Sequence, residues 1–221
     1  MKKTPYLAFT SLGYRILHCV ICLGFMVLGF LADVYMGSVW VVIISAGMPL
    51  VLVFLDYFAF SGTSSRKQKS MQFIKSSSKG LNLFKTAVKT DLWIKQGCIV
   101  LAYLGYLLAE IIYYIDSETF FDSILLLLIY IPISGLTTNL TLIISRRIAL
   151  TIAVQIAVCY ICSMFSTILL VIYSFLLPEH ISSFAIAALI SFAIIEAINI
   201  VVGIILYKDC VKGYTSSFSD T

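Results

Sequence analysis

Residues 61–96 read SGTSSRKQKSMQFIKSSSKGLNLFKTAVKTDLWIKQ, and the layout of the rest of the chain follows from this stretch. It carries Arg66, Lys67, Lys69, Lys75, Lys79, Lys85, Lys89 and Lys95, more than half of the fifteen Lys and Arg residues. Residues 61–70 are small, polar and basic, the composition of a flexible linker. Residues 78–95 then turn periodic: Leu81, Phe84, Val88 and Leu92 recur at helical spacing. Lys85, Lys89 and Lys95 lie off that stripe, and Ser76–Ser78 offer N-caps. The pattern predicts a cytoplasmic amphipathic helix. Its basic face suits anionic headgroups, at about 1 kcal/mol per cation near such a surface, and is equally compatible with docking on a protein.

On either side of this loop the chain is apolar. Hydrophobic residues make up 61% of the sequence and the mean hydropathy is +1.03, which excludes an ordinary soluble domain. A spanning helix needs about 20 mostly apolar residues. The runs place spans at about 16–36, 38–60, 97–115, 123–145, 148–177 and 183–207. The whole chain, 1–221, is therefore read as a single all-α transmembrane domain of six helices, with 61–96 as its cytoplasmic loop. Lys2, Lys3, Arg15, the loop cations, Arg146, Arg147, Lys208 and Lys212 all fall at alternate span ends. The positive-inside rule makes that face cytoplasmic and puts both termini inside. The opposite loops hold only Asp33, Asp116, Glu118, Asp122 and Glu179. The start of the chain lacks a small-residue cleavage site, so the first span reads as a retained anchor. Residues 5–17 are read either as an N-terminal interfacial helix or as an upstream extension of that span. The preference for Lys over Arg and the small external loops point to the bacterial cytoplasmic membrane.

Enzyme readings lack their parts. There is no G-x-x-x-x-G-K-[ST] loop for ATP phosphates, no H-E-x-x-H and no G-x-S-x-G, so no catalytic residue is assigned. His18-Cys19-x-x-Cys22 and Cys159-x-x-Cys162 have metal-like spacing, but sit in apolar spans at different depths. They are read as small packing residues, with no metal ligand expected.

Polar residues inside the spans carry more information. Asp56, near the cytoplasmic end of span two, is read as reaching headgroup water. Glu110 and Glu196 lie deeper, where an ionisable group costs about 3 kcal/mol unless it meets a cavity or partner. Tyr103, Tyr106, Glu110 and Tyr113 (or Tyr114) share one helical face; Glu196, Asn199 and Gly203 share another. Two readings stand. Tyr106, Glu110, Tyr113, Glu196 and Asn199 line a path for cationic, amphipathic cargo, or they form interhelical hydrogen bonds that fix the bundle. Span four, with Pro132, Gly135, Ser134, Thr137, Thr138, Asn139 and Thr141, is expected to face protein or a wet cavity.

The six spans, the inward termini, the segment KSSSKGLNLFKTAVK beginning at Lys75 and the Arg146-Arg147 junction together resemble the compact ABC-2-type permeases, in particular exporters of amphipathic peptide toxins such as phenol-soluble modulins, or of bacteriocins. The resemblance covers nearly the whole chain in topology, and no short motif is diagnostic. It implies a coupling helix on a cytosolic ABC ATPase through Lys79, Leu81, Phe84, Lys85, Val88, Lys89, Arg146 and Arg147. It further implies a second copy or a related permease as partner, an amphipathic peptide cargo, and export. ATP and Mg would reside in the partner, with no cofactor in this chain and no nucleic acid. The connection between spans five and six, around 178–182, is shorter than such permeases often have, so any re-entrant hairpin must borrow from 168–192. Two other readings share the six spans or the lack of a nucleotide site: a substrate-binding membrane subunit of a modular vitamin importer, and a non-transporting peptide-binding immunity protein.

Overall fold

The computed structural model describes residues 10, 12–36, 38–56, 79–117, 120–148 and 185–216, with parts of 153–168. Five long helices account for most of them: α1 (Leu12–Met36), α2 (Ser38–Asp56), α3 (Gly80–Tyr113), α4 (Phe120–Ile148) and α5 (Ala185–Ser216). No strand occurs among the described residues. Four stretches are long and apolar enough to cross a membrane, Leu12–Tyr35, Gly80–Tyr113, Phe120–Arg146 and Ala185–Thr215, and α2 carries a shorter apolar run, Gly47–Asp56. Six spans were expected from the sequence, and four are found among the described residues. Most of the expected fifth span, the linker 61–78 and residues 5–9 of the expected interfacial helix lie outside them. Residues 12–17 of that interfacial stretch are the opening turns of α1.

Each helix divides into a packed face and an apolar outer face. On α1 the buried positions Tyr14, His18, Cys22, Gly29 and Asp33 fall on one face, at steps of four or seven residues. Leu12, Ile16, Val20, Leu23, Val27 and Leu31 stay exposed. A helix apolar all round but packed on one side suits lipid on the other. Two glycines set the α1–α3 seam. A Cβ on Gly29 would stand 3.1 Å from the Ala102 carbonyl, and one on Gly105 would overlap the Met26 carbonyl.

The largest difference from the sequence reading lies in α3. The expected cytoplasmic helix 78–95 and span three form one continuous helix of 34 residues. The reason is phase: the stripe Phe84, Val88, Asp91, Lys95, Cys98, Ala102, Tyr106 and Ala109 is buried without a break. Nothing at residues 92–97 stops a helix, since a lone Gly97 is tolerated. At 1.5 Å per residue α3 is about 50 Å long, against about 30 Å of hydrocarbon.

Contacts fix the relative directions. Tyr14, Leu55, Phe84, Val88 and Tyr214 form one cluster, so the start of α1, the end of α2, the start of α3 and the end of α5 meet at one end of the bundle. Arg146, near the end of α4, bonds to Asp56 and Cys210 at the same end. α4 and α5 run parallel: Leu125 packs with Ala188, Asn139 bonds to Asn199, and Leu142 packs with Leu206.

Candidate functional site: a groove with an amide and carboxylate ladder beside a buried ion cluster

α3, α4 and α5 enclose a groove of about 870 Å³. Its wall is mainly apolar: Leu92, Trp93, Val100, Leu101, Leu104 and Gly97 from α3, Ile131 from α4, and Phe192, Ile200, Gly203, Ile204 and Tyr207 from α5. Polar groups enter from one side, as Gln96, Asn139, Glu196 and Asn199, with Lys89 toward the basic end. Asn139 Nδ2 donates to Asn199 Oδ1 at 2.8 Å, and Asn199 Nδ2 donates to Glu196 Oε2 at 3.2 Å. Gly135 makes room for this ladder. A Cβ there would come within 2.6 Å of Gln96 Oε1 and 2.7 Å of Asn199 Nδ2. The ladder orients its donors toward Glu196, leaving that carboxylate as the terminal acceptor.

The rest of α4's polar run is turned into the bundle. Ser134, Thr137, Thr138, Asn139 and Thr141 are all buried, as expected of a span facing protein. The hydroxyls of Thr137, Thr138 and Thr141 donate back to carbonyls three or four residues earlier. Back-bonding of this kind satisfies hydroxyls in an apolar helix. The Tyr103 and Ser134 hydroxyls are 2.7 Å apart, linking α3 to α4.

Next to the groove's basic end sits a cluster of four charges that the sequence reading did not assemble. Asp56 accepts from Arg146 through both carboxylate oxygens, at 2.6 and 2.9 Å, and from Lys95 Nζ at 2.7 Å. Lys95 also donates to Asp91 one turn earlier on α3. Arg146 Nη2 lies 3.4 Å from Asp91 and its Nη1 lies 2.8 Å from Cys210 Sγ. Two acids thus offset two bases. Asp56 and Asp91 are fully buried, Lys95 nearly so, and Arg146 is 9% exposed. Asp56 was expected to reach headgroup water. Instead it is the hub of this cluster, because Lys95 and Arg146 are brought to it from two other helices.

The expected docking residues are therefore divided. Phe84 and Val88 are buried against Tyr14, Leu55 and Tyr214, with Leu81 packed beside them, so that stripe is used inside the chain's own core. Arg146 is held by Asp56. Lys79 and Lys89 are exposed and Lys85 is half-buried. The Arg147 side chain lies outside the described residues.

The expected cargo residues also separate. Glu196 and Asn199 line the groove. Tyr106 and Glu110 are buried on the other face of α3, toward Asp33 of α1, whose charge interacts with that of Glu110. Tyr113 is exposed at the end of α3 and packs against Phe30. Asn139 was expected to face protein or a wet cavity and lines the groove, whereas Gln96 was expected at the end of the cytoplasmic loop and joins the groove because α3 runs on through it. Compared with protein families, curated proteins and solved structures, the chain finds no match.

Proposed function

We propose that this chain is a six-span membrane subunit that binds an amphipathic, cationic ligand in the α3–α4–α5 groove and exports it with energy from a separate cytosolic ABC ATPase. The observation that carries the reading is the groove itself. An apolar wall with one carboxylate at the end of a fixed donor chain suits a ligand with a hydrophobic body and a positive, hydrogen-donating head. The volume sets a limit. About 870 Å³ is in the range of drug-sized ligand sites, so a peptide would enter a few residues at a time or share the path with a second copy of the chain. The parallel run of α4 and α5 supports the six-span layout, in which one further span lies between them in sequence. Both termini then lie in the cytoplasm, on the basic side.

Docking of the ATPase, with its ATP and Mg, falls to the exposed cations Lys79 and Lys89 at the basic end, rather than to the buried Phe84 stripe. That burial also favours a second reading, a substrate-binding subunit of a vitamin importer, because 80–92 is not a free-standing helix. Affinity purification from the native membrane separates these. A stoichiometric ATPase that is lost when Lys79 and Lys89 become Glu supports the exporter. An ATPase complex and ligand binding that both survive deletion of 61–78 and those charge reversals support the importer. Recovery of the chain alone overturns both in favour of a binding or immunity role. For the groove, Glu196→Gln is expected to weaken a cationic fluorescent amphiphile about tenfold, the loss of one charged hydrogen bond, and to leave a neutral analogue unchanged. Equal binding of the cation by both forms would remove Glu196 from the site.

A further inference from the structure

His18, Cys22 and Cys98 meet where α1 packs on α3, away from the groove and outside the ion cluster. The i, i+4 spacing puts His18 and Cys22 on one face of α1, and α3 supplies Cys98. One imidazole nitrogen and the two sulfurs lie within 4.8 Å of one another. All three are buried, at 4%, 2% and 9% exposure. Neither ring nitrogen of His18 has a hydrogen-bond partner, while the Tyr14 ring covers the imidazole edge-on at 5.7 Å. A buried imidazole without a partner gives up its hydration and regains no hydrogen bond. A ligand for that nitrogen is the missing element, and two adjacent sulfurs say of what kind.

We propose that His18, Cys22 and Cys98, with both thiols reduced, form a site for a soft metal ion, and that the ion is Cu(I). Thiolate and imidazole donors select Cu(I) and Zn(II) among biological cations. Structural zinc takes four ligands, and the group here supplies three among the described residues. Cu(I) is satisfied by three.

In the structure the two sulfurs are joined as a disulfide, with Cα atoms 5.5 Å apart. Disulfide and metal are alternative occupants of the same sulfur pair. A small dithiol reductant converts one to the other: it supplies two electrons and two protons and closes to its own disulfide, and the Cys22–Cys98 bond opens to two thiols. Binding of Cu(I) then displaces both thiol protons as the two sulfur–copper bonds form.

The test uses the full chain in detergent, reduced with dithiothreitol, desalted anaerobically, and titrated against the Cu(I) complex of bathocuproine disulfonate. One Cu(I) per chain should leave the chelator, with an ultraviolet thiolate-to-copper band. Cys22→Ser and Cys98→Ser should abolish the band. His18→Leu, which keeps both thiols, should weaken binding at least tenfold, and Cys19→Ser, on the exposed face, should leave it unchanged. Circular dichroism checks that each variant keeps its helices. No withdrawal of copper, equal loss in Cys19→Ser, or unchanged affinity in His18→Leu would overturn the site. So would a Cys22–Cys98 bond that dithiothreitol leaves closed to iodoacetamide. Stoichiometric Zn(II) without Cu(I) would overturn the copper assignment.

Discussion

Asp56 ends an apolar helix, and burying its carboxylate there is costly without the two cations that reach it. Lys95 is 39 positions away in sequence and Arg146 is 90. Removing one member of a buried ion group strands the others, at about 3–5 kcal/mol. Arg146→Met is therefore expected to lower the thermal unfolding midpoint in detergent by several degrees, since Asp56 keeps only Lys95. Lys208→Met, at an exposed cation outside the cluster, should have little effect. Equal midpoints for Arg146→Met and the unmodified protein would show that the cluster does not hold the helices together. The sequence disclosed the depth of each of these residues but not their convergence. Asp56 read as interfacial and Arg146 as outward because depth follows from hydropathy, whereas pairing follows from which helices touch. Glu196 was legible for the opposite reason: it shares a helical face with Asn199 three residues on, so part of the ladder lies within one element.

At the scale of helices, glycine decides how closely α1 and α3 approach. A side chain on Gly105 would meet the Met26 backbone, which cannot swing aside as a flexible side chain would. Nothing stands within 4 Å of a Cβ at Gly97 or Gly13. Alanine is favoured over glycine in a helix by about 1 kcal/mol. Gly97→Ala is thus expected to be neutral or stabilising, while Gly105→Ala should part the seam. Because Cys22 and Cys98 are joined across that seam, a non-reducing gel after oxidation reads it directly. Gly105→Ala should reduce the internally cross-linked fraction, and Gly97→Ala should retain it. The same cross-linked fraction in both variants would mean that the helices do not pack backbone to backbone at Gly105. The fusion of the expected loop helix with span three belongs to this scale as well. Lys85, Lys89 and Lys95 made 78–95 look cytoplasmic by composition and put Lys95 off the apolar stripe, yet the buried helical phase runs from Phe84 to Ala109 through Asp91 and Lys95, which pair inside the bundle. Composition marked the membrane boundary, and periodicity ran through it.

For the whole molecule the decisive relation is that α4 and α5 point the same way. Arg146 and Cys210 meet at one end of the pair, and Leu125 and Ala188 pack toward the other. Parallel order is what the proposed six-span layout demands of them, since that layout places one further span between the two in sequence. The clustering of Tyr14, Leu55, Phe84 and Tyr214 puts the cations at positions 15, 79, 85, 89, 208 and 212 toward one end of the bundle, the end that the charge rule for membrane loops would make cytoplasmic. Cysteine accessibility tests this in intact cells with a membrane-impermeant maleimide, in a background carrying Cys19→Ser. Asp116→Cys, in the exposed turn after α3, is expected to label from outside. Lys79→Cys and Lys212→Cys are expected to label only after permeabilisation, and both to the same degree. Labelling of positions 79 and 212 from opposite sides would break the parallel arrangement of α4 and α5. The proposed six-span layout would fall with it, and so would a groove closed on one flank by α4 and on the other by α5.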